Sequence, residues 1–157
     1  MKIQFWSVGK THEPYVKAGI DEFTTRISRY FKVEWVILPA PKNSASLSEP
    51  ELKKKEGKQI LELLGRDDHL VALEETGTML SSEGLAALLQ SRANDSTRQL
   101  VFLIGGAFGL DEEVLRRANT KWSLSKLVFP HQLVRLILAE QVYRACTILK
   151  NEKYHHK

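Results

Sequence analysis

The sequence of 157 residues contains a single cysteine, Cys146, and no hydrophobic run long enough to cross a membrane. One cysteine excludes an internal disulfide and favours a reducing compartment. A membrane helix needs about 20 consecutive apolar residues. Residues 1–6 also lack the long apolar centre of a signal peptide. We therefore expect a cytoplasmic protein that does not associate with membranes.

The motifs of several common active sites are also missing. The five histidines and the cysteine do not stand at metal-ligand spacing, so we expect no metal. The sequence has no P-loop and no nucleophile elbow, and residues 105–109 do not match the glycine spacing of a dinucleotide-binding fingerprint. A net charge of +4 permits a nucleic-acid partner without requiring one.

What the sequence does contain is a regular alternation of short apolar runs and amphipathic segments. The runs predict strands over residues 3–8, 33–38, 70–73 and 100–104, with a strand or extended loop over residues 122–129. Helices are predicted over residues 14–30, 48–64 (with Gly65 as C-cap), from 81 onward, 111–118 and 131–149. This order indicates one α/β domain, residues 1–157, with three layers and a mostly parallel sheet of five or six strands.

The apolar run 100–104 ends at Gly105 and Gly106, and Asp111 then has the features of a helix N-cap. Ligands of open α/β sheets bind outside the carboxyl ends of the strands. We therefore predict a site at this corner, where Gly105 lets a ligand approach the backbone and a larger residue would fill the space. The alternative is that the glycines only form a tight turn.

The predicted last helix, residues 131–149, is apolar around most of its circumference. A domain of this size has difficulty covering such a helix with its own residues. The pattern therefore indicates an oligomer interface.

One group of motifs resembles a known family over the whole chain. These motifs are Leu73, Ile104–Gly106, Gly109–Leu110, Ser123–His131, Arg135, Glu140–Arg144 and Tyr154–His155. Together they resemble the SPOUT-class methyltransferases that modify N3 of a pseudouridine in the RNA of the large ribosomal subunit. The resemblance implies a C-terminal trefoil knot that binds S-adenosylmethionine. It also implies a homodimer that acts on helix 69 of 23S rRNA within the assembled ribosome.

The resemblance assigns roles to individual residues of this sequence. The cofactor-binding residues would be Leu73, Gly105, Leu124, Ser125, Lys126, Leu127, Val128 and Phe129. The catalytic candidates would be Tyr154 and His155 in the C-terminal tail, with Arg135 as a weaker one. Lys150, Asn151 and Lys153 depart from the family pattern and leave the path of the tail open.

Other interpretations remain for several of these residues. Leu124, Leu127 and Phe129 would serve equally as core residues, and His131 as an ordinary first residue of a helix. Arg135 and Arg144 could form surface or dimer ion pairs of little energetic weight. The competing function is a non-catalytic RNA- or ribosome-binding module, which would need neither the Gly105 corner nor residues 124–129. A nucleotide-binding regulator is less consistent with the missing phosphate loop.

Overall fold

A computed structural model describes residues 1–156 and confirms the alternation of strands and helices. The strands are β1 (Lys2–Val8), β2 (Lys32–Leu38), β3 (His69–Met79), β4 (Gln99–Ile104) and β5 (Thr120–Ser123). The helices are α1 (Pro14–Ile27), α2 (Glu49–Leu63), α3 (Ser82–Asn94), α4 (Glu112–Arg117) and α5 (His131–Leu149). A short 3-10 turn, Ser44–Ser46, lies in the loop between β2 and α2.

The five strands form one parallel sheet in the order β2-β1-β4-β3-β5. Helices α1, α3 and α5 cover one face, and α2 and α4 cover the other. Residues 100–104 are buried, as expected for a strand covered on both faces. The predicted three-layer α/β fold is therefore confirmed, and the trefoil knot implied by the resemblance stays a prediction.

The connections leave an opening between the ends of β3 and β4. These two strands are neighbours in the sheet, but the helices that follow them, α3 and α4, pack on opposite faces. In open α/β sheets such a divergence creates a crevice at the carboxyl ends of the strands. The predicted site corner at Gly105 lies at the end of β4, beside this opening.

Side-chain caps start three helices where the sequence predicted them. Ser48 Oγ accepts from the N–H of Glu51, Ser81 Oγ from that of Gly84, and an Asp111 carboxylate oxygen from that of Glu113. Each bond satisfies an N–H group that has no partner inside the helix.

Two helix ends differ from the predictions. Helix α1 ends at Ile27 rather than Tyr30, because the N–H groups of Tyr30 and Phe31 both bond to the Ile27 carbonyl and turn the chain toward β2. Gly65 is not the C-cap of α2. The helix ends at Leu63, Leu64 is extended, and the Gly65 N–H donates to Asp68 Oδ2 at 2.8 Å.

Strand β3 is longer than predicted and β5 is shorter. β3 continues past Leu73 to Met79, and both Leu73 and Thr78 pair with Trp122. Residues 74–77 therefore bulge out of the strand, and their polar sequence gave no sign that pairing would resume. β5 ends at Ser123, so residues 124–130 form a loop. No helix within residues 1–156 is long and apolar enough to span a membrane.

Candidate functional site

A cavity of about 210 Å³ lies at the carboxyl ends of β3, β4 and β5. Seven of the eight residues predicted to bind a cofactor line it: Leu73, Gly105, Leu124, Ser125, Leu127, Val128 and Phe129. Lys126 is exposed and is not among the lining residues. The fold thus brings together three segments that are far apart in the sequence, as the prediction of a site at this corner requires.

The loop of residues 124–130 supplies most of one wall. Ser123 Oγ donates to the Ser125 carbonyl at 3.2 Å, and Ser125 Oγ accepts from the Leu127 N–H at 3.0 Å. Leu127 and Val128 are 71% and 90% exposed. Leu127 is therefore not a core residue, and two apolar side chains beside a cavity are suited to contact a ligand or a partner.

The glycine turn after β4 forms the opposite wall. A Cβ on Gly105 would lie 2.9 Å from Leu110 Cδ2 and 3.0 Å from the Gly109 carbonyl carbon. The missing side chain therefore lets the turn pack against Leu110. This differs from the prediction that a larger residue at position 105 would fill space reserved for a ligand.

Two residues behind this turn were missed as site residues. His131 Nε2 donates to the Gly105 carbonyl oxygen at 2.6 Å, and burial lowers the pKa of His131. On the other side of the sheet, the Glu56 carboxylate would lie 2.7 Å from a Cβ on Gly106. Glu56 is buried, which raises its pKa. The sequence did signal His131, through its place directly after the cavity loop, but nothing local indicated Glu56.

A second cavity, of about 590 Å³, adjoins the first and shares Leu73, Glu74, Glu75 and Gly109 with it. Its remaining charged residues are Glu49, Glu112 and Lys53. Carboxylates therefore outnumber cations around the combined opening, although the whole chain has a net charge of +4. Such surroundings favour a ligand that carries positive charge.

Arg135 does not line either cavity. Its side chain is 0% exposed, and Nη1 lies 3.2 Å from Nδ1 of His12 in the loop between β1 and α1. Burial lowers the pKa of Arg135, opposed in part by the charge of Glu13. Within residues 1–156 no carboxylate oxygen lies within 4.0 Å of its guanidinium, so Arg135 forms no ion pair inside the described part of one chain, and an ion pair across a dimer stays a prediction.

The C-terminal tail is docked on α5 and α3. Tyr154 Oη donates to Glu140 Oε2 at 3.0 Å, and the Tyr154 ring packs edge-on against Tyr143. His155 is held from both sides, with Nδ1 3.2 Å from Arg144 Nη1 and Nε2 2.7 Å from Glu83 Oε1. Glu140 and Arg144 form an ion pair at 2.8 Å, so the structure confirms an ion pair for Arg144.

The tail and the cavity occupy different parts of α5. Val134 lines the cavity, whereas Glu140 and Arg144 hold the tail six and ten residues later. At 1.5 Å per residue these positions are about 9 and 15 Å further along the helix. Tyr154 and His155 are thus ordered by specific contacts, but the structure does not bring them to the cavity of their own chain. No cluster of metal-ligating side chains occurs among residues 1–156.

Comparison with known proteins identifies the family of the chain. The family model described as "Predicted SPOUT methyltransferase" matches residues 1–155. The chain belongs to the SPOUT methyltransferase family. Among solved structures, the tRNA (m1G37) methyltransferase of Aquifex aeolicus superimposes with a TM-score of 0.55 over 100% of this chain and 76% of its own, at 16% identity. At that identity the likeness shows that the two share the SPOUT fold.

Relatives within the SPOUT family match the chain from end to end. A protein of Cytophaga hutchinsonii is 45% identical over 156 residues, covering 99% of this chain and 100% of its own. Proteins of Christiangramia forsetii and Alkaliphilus oremlandii are 44% and 46% identical, over 100% and 99% of both chains. All three are named "Ribosomal RNA large subunit methyltransferase H".

Proposed function

We propose that this protein transfers a methyl group from S-adenosylmethionine to N3 of a pseudouridine in helix 69 of 23S rRNA, acting on assembled ribosomes in the cytoplasm. One observation carries the proposal. Residues that the resemblance assigns to the cofactor, from three separate segments of the chain, line a single cavity. The names of the relatives support ribosomal RNA of the large subunit as the substrate class.

The residues of the cavity fit this methyl donor. Leu73, Leu124 and Phe129 provide apolar walls, which suit an adenine ring. Glu74 and Glu75 line both cavities, where their negative charges would balance that of a positively charged ligand. When bound, S-adenosylmethionine supplies a methyl group attached to a cationic sulfur, and the resident carboxylates favour that charge.

The protein's contribution to the reaction would be mainly positional. His131 fixes the Gly105 carbonyl at the cavity wall, and a well-oriented pair of reactants can avoid a large part of the barrier. N3 of the base must also lose its proton, which needs a base or a nearby cation. We assign this step to the tail, so that Tyr154 and His155 act on the RNA rather than on the cofactor.

The contacts of His155 determine which of its ring nitrogens could accept the proton from N3 of the base. Arginine can only donate hydrogen bonds, so Nδ1 of His155 accepts from Arg144 and the proton resides on Nε2, facing Glu83. His155 can therefore take a proton from N3 only after Nδ1 separates from Arg144. Arg135 is the weaker candidate, because it is fully buried behind His12.

We propose further that the protein is a homodimer. Leu127 and Val128 are largely exposed beside the cavity. Leu133, Leu136 and Ile137 on α5 are only partly covered, although α1 and α3 flank this helix. Apolar side chains that a single chain leaves exposed or partly covered are suited to contact a second copy of the chain.

The decisive experiment is a methylation assay on ribosomes from cells that lack this modification. Purified protein and S-adenosylmethionine should add one methyl group to the helix 69 fragment, detected by mass spectrometry of digested 23S rRNA. Binding of radiolabelled S-adenosylmethionine is measured on the same preparation. Donor binding with no methyl group on helix 69 would refute the proposed target. Ribosome binding with no donor binding would favour the non-catalytic module.

A further inference from the structure

Arg135 is a buried cation with an unused binding edge. Its Nε and Nη2 atoms are inaccessible to solvent and have no hydrogen-bond partner among residues 1–156. These two nitrogens lie on the same edge of the guanidinium, where parallel N–H groups match two oxygens of a phosphate or carboxylate. Buried arginines are normally paired, since an uncompensated buried charge is costly. The unused edge therefore indicates an anionic ligand.

A short loop, residues 9–13, connects β1 to α1 and contacts Arg135 through His12. It begins at Gly9, whose φ of +121° is accessible mainly to glycine, and its residues Lys10, Thr11 and Glu13 are exposed. Gln132 accepts from the Glu13 N–H at 3.0 Å and donates to the Thr11 carbonyl at 3.3 Å. Together with the His12–Arg135 contact, these few bonds hold the loop on the first turns of α5.

We propose that Arg135 binds a phosphate of the RNA backbone when the loop of residues 9–13 moves off α5. The inference rests on the proposed function, because it takes ribosomal RNA as the substrate. Val134 lines the cofactor cavity but Arg135 does not, so we assign the unused edge to a ligand other than the cofactor. The loop follows β1 at the same sheet edge as the cavity, and Lys10 on it is exposed. The charge of the Glu13 carboxylate acts on Arg135, and Glu13 lies in the loop, so it would move away together with the loop.

This role predicts opposite effects of one substitution on stability and on binding. Arg135→Met removes an uncompensated buried charge, so the Tm of the free protein should rise, by about 2–4 °C. Binding to unmodified ribosomes should weaken, and the slope of log K against log salt should fall by roughly one, since one phosphate contact is lost. Arg98→Met is the matched control, because Arg98 is exposed and precedes β4 at the opposite sheet edge. It should leave Tm and the salt slope unchanged.

A second variant tests the role of the loop of residues 9–13 and leaves Arg135 unchanged. His12→Ala removes the contact between the loop and the guanidinium. A larger fraction of the molecules should then have the loop displaced and Arg135 available, so ribosome binding should tighten several-fold. A lower Tm for Arg135→Met with an unchanged salt slope would show a purely structural arginine and overturn the proposal. Unchanged or weaker binding by His12→Ala would overturn it as well. Both measurements are made without S-adenosylmethionine, so they remain informative if methyl transfer to helix 69 is not observed.

Discussion

The imidazole of His131 and the carbonyl of Gly105 form a 2.6 Å hydrogen bond that joins the first residue of α5 to the glycine turn after β4. A carbonyl oxygen only accepts, so Nε2 carries the proton. Burial favours the neutral ring by lowering the pKa of His131. The bond therefore links two cavity walls that come from different parts of the chain.

Removing this link should weaken cofactor binding without unfolding the protein. His131→Ala loses one hydrogen bond, worth about 1 kcal/mol, and we expect about fivefold lower affinity for S-adenosylmethionine in calorimetry. His156→Ala is the control, because His156 is exposed in the tail. Wild-type affinity in a folded His131→Ala variant would show that the turn holds its shape without the bond.

Stability should fall as the pH decreases through the range in which histidine is protonated. The pKa values of His12, His69 and His131 are all lowered, chiefly by burial. The folded state thus favours the neutral rings, and its advantage is full above the unfolded pKa of about 6.5 and is lost as the pH falls below it. The raised pKa of Glu56 acts in the opposite direction.

Urea unfolding at pH 7.5 and pH 5.5 measures this dependence. The free energy of unfolding of the wild type should be lower at pH 5.5, and the difference should be smaller in His131→Gln. An equal difference in the two proteins would exclude His131 from the acid sensitivity.

A side chain at position 105 should disturb the glycine turn itself. In Gly105→Ala the new methyl group meets Leu110 and the Gly109 backbone at about 3 Å, so we expect a loss of 1–3 kcal/mol, roughly the cost of overpacking, together with weaker cofactor binding. Gly19→Ala is a suitable control, because its methyl group meets only the end of the flexible Leu136 side chain. Unchanged stability with abolished cofactor binding would instead support the earlier prediction that the side chain fills ligand space.

Substitutions at two neighbouring residues of α5 should distinguish the proposed dimer interface from the core of the single chain. Ile137 is partly exposed, whereas Leu138 is fully buried. Ile137→Glu should give a folded monomer in sedimentation at micromolar concentration, while Leu138→Glu should unfold the protein because it buries a charge. A wild-type protein that sediments as a monomer would contradict the proposed dimer.

Deletion of residues 154–157 should separate catalysis from cofactor binding. Tyr154 and His155 do not line the cavity, so affinity for S-adenosylmethionine should stay nearly intact while single-turnover methylation at saturating ribosome falls steeply. Weaker ribosome binding that recovers at low salt, with chemistry unchanged once bound, would indicate a purely electrostatic tail. Full-rate turnover by the truncated protein would remove both residues from the catalytic candidates.

The sequence by itself determined the features that depend on neighbouring residues. The apolar run of residues 100–104 predicted β4, and the side-chain caps at Ser48, Ser81 and Asp111 predicted the starts of α2, α3 and α4. The bounds of α5 were also predicted as found. The motifs from Leu73 to His155 were specific enough for the family, which the match over residues 1–155 confirms.

Tertiary structure decided everything that joins distant segments. Strand order placed β4 between β1 and β3, and renewed pairing with Trp122 extended β3 past its polar bulge. The His131–Gly105 bond spans 26 residues and the His12–Arg135 contact spans 123. Neither leaves a local pattern, because a hydrogen bond between remote side chains imposes no periodicity on the sequence around it. The unpaired edge of Arg135 likewise exists only because folding buries that guanidinium without bringing to it a carboxylate from residues 1–156.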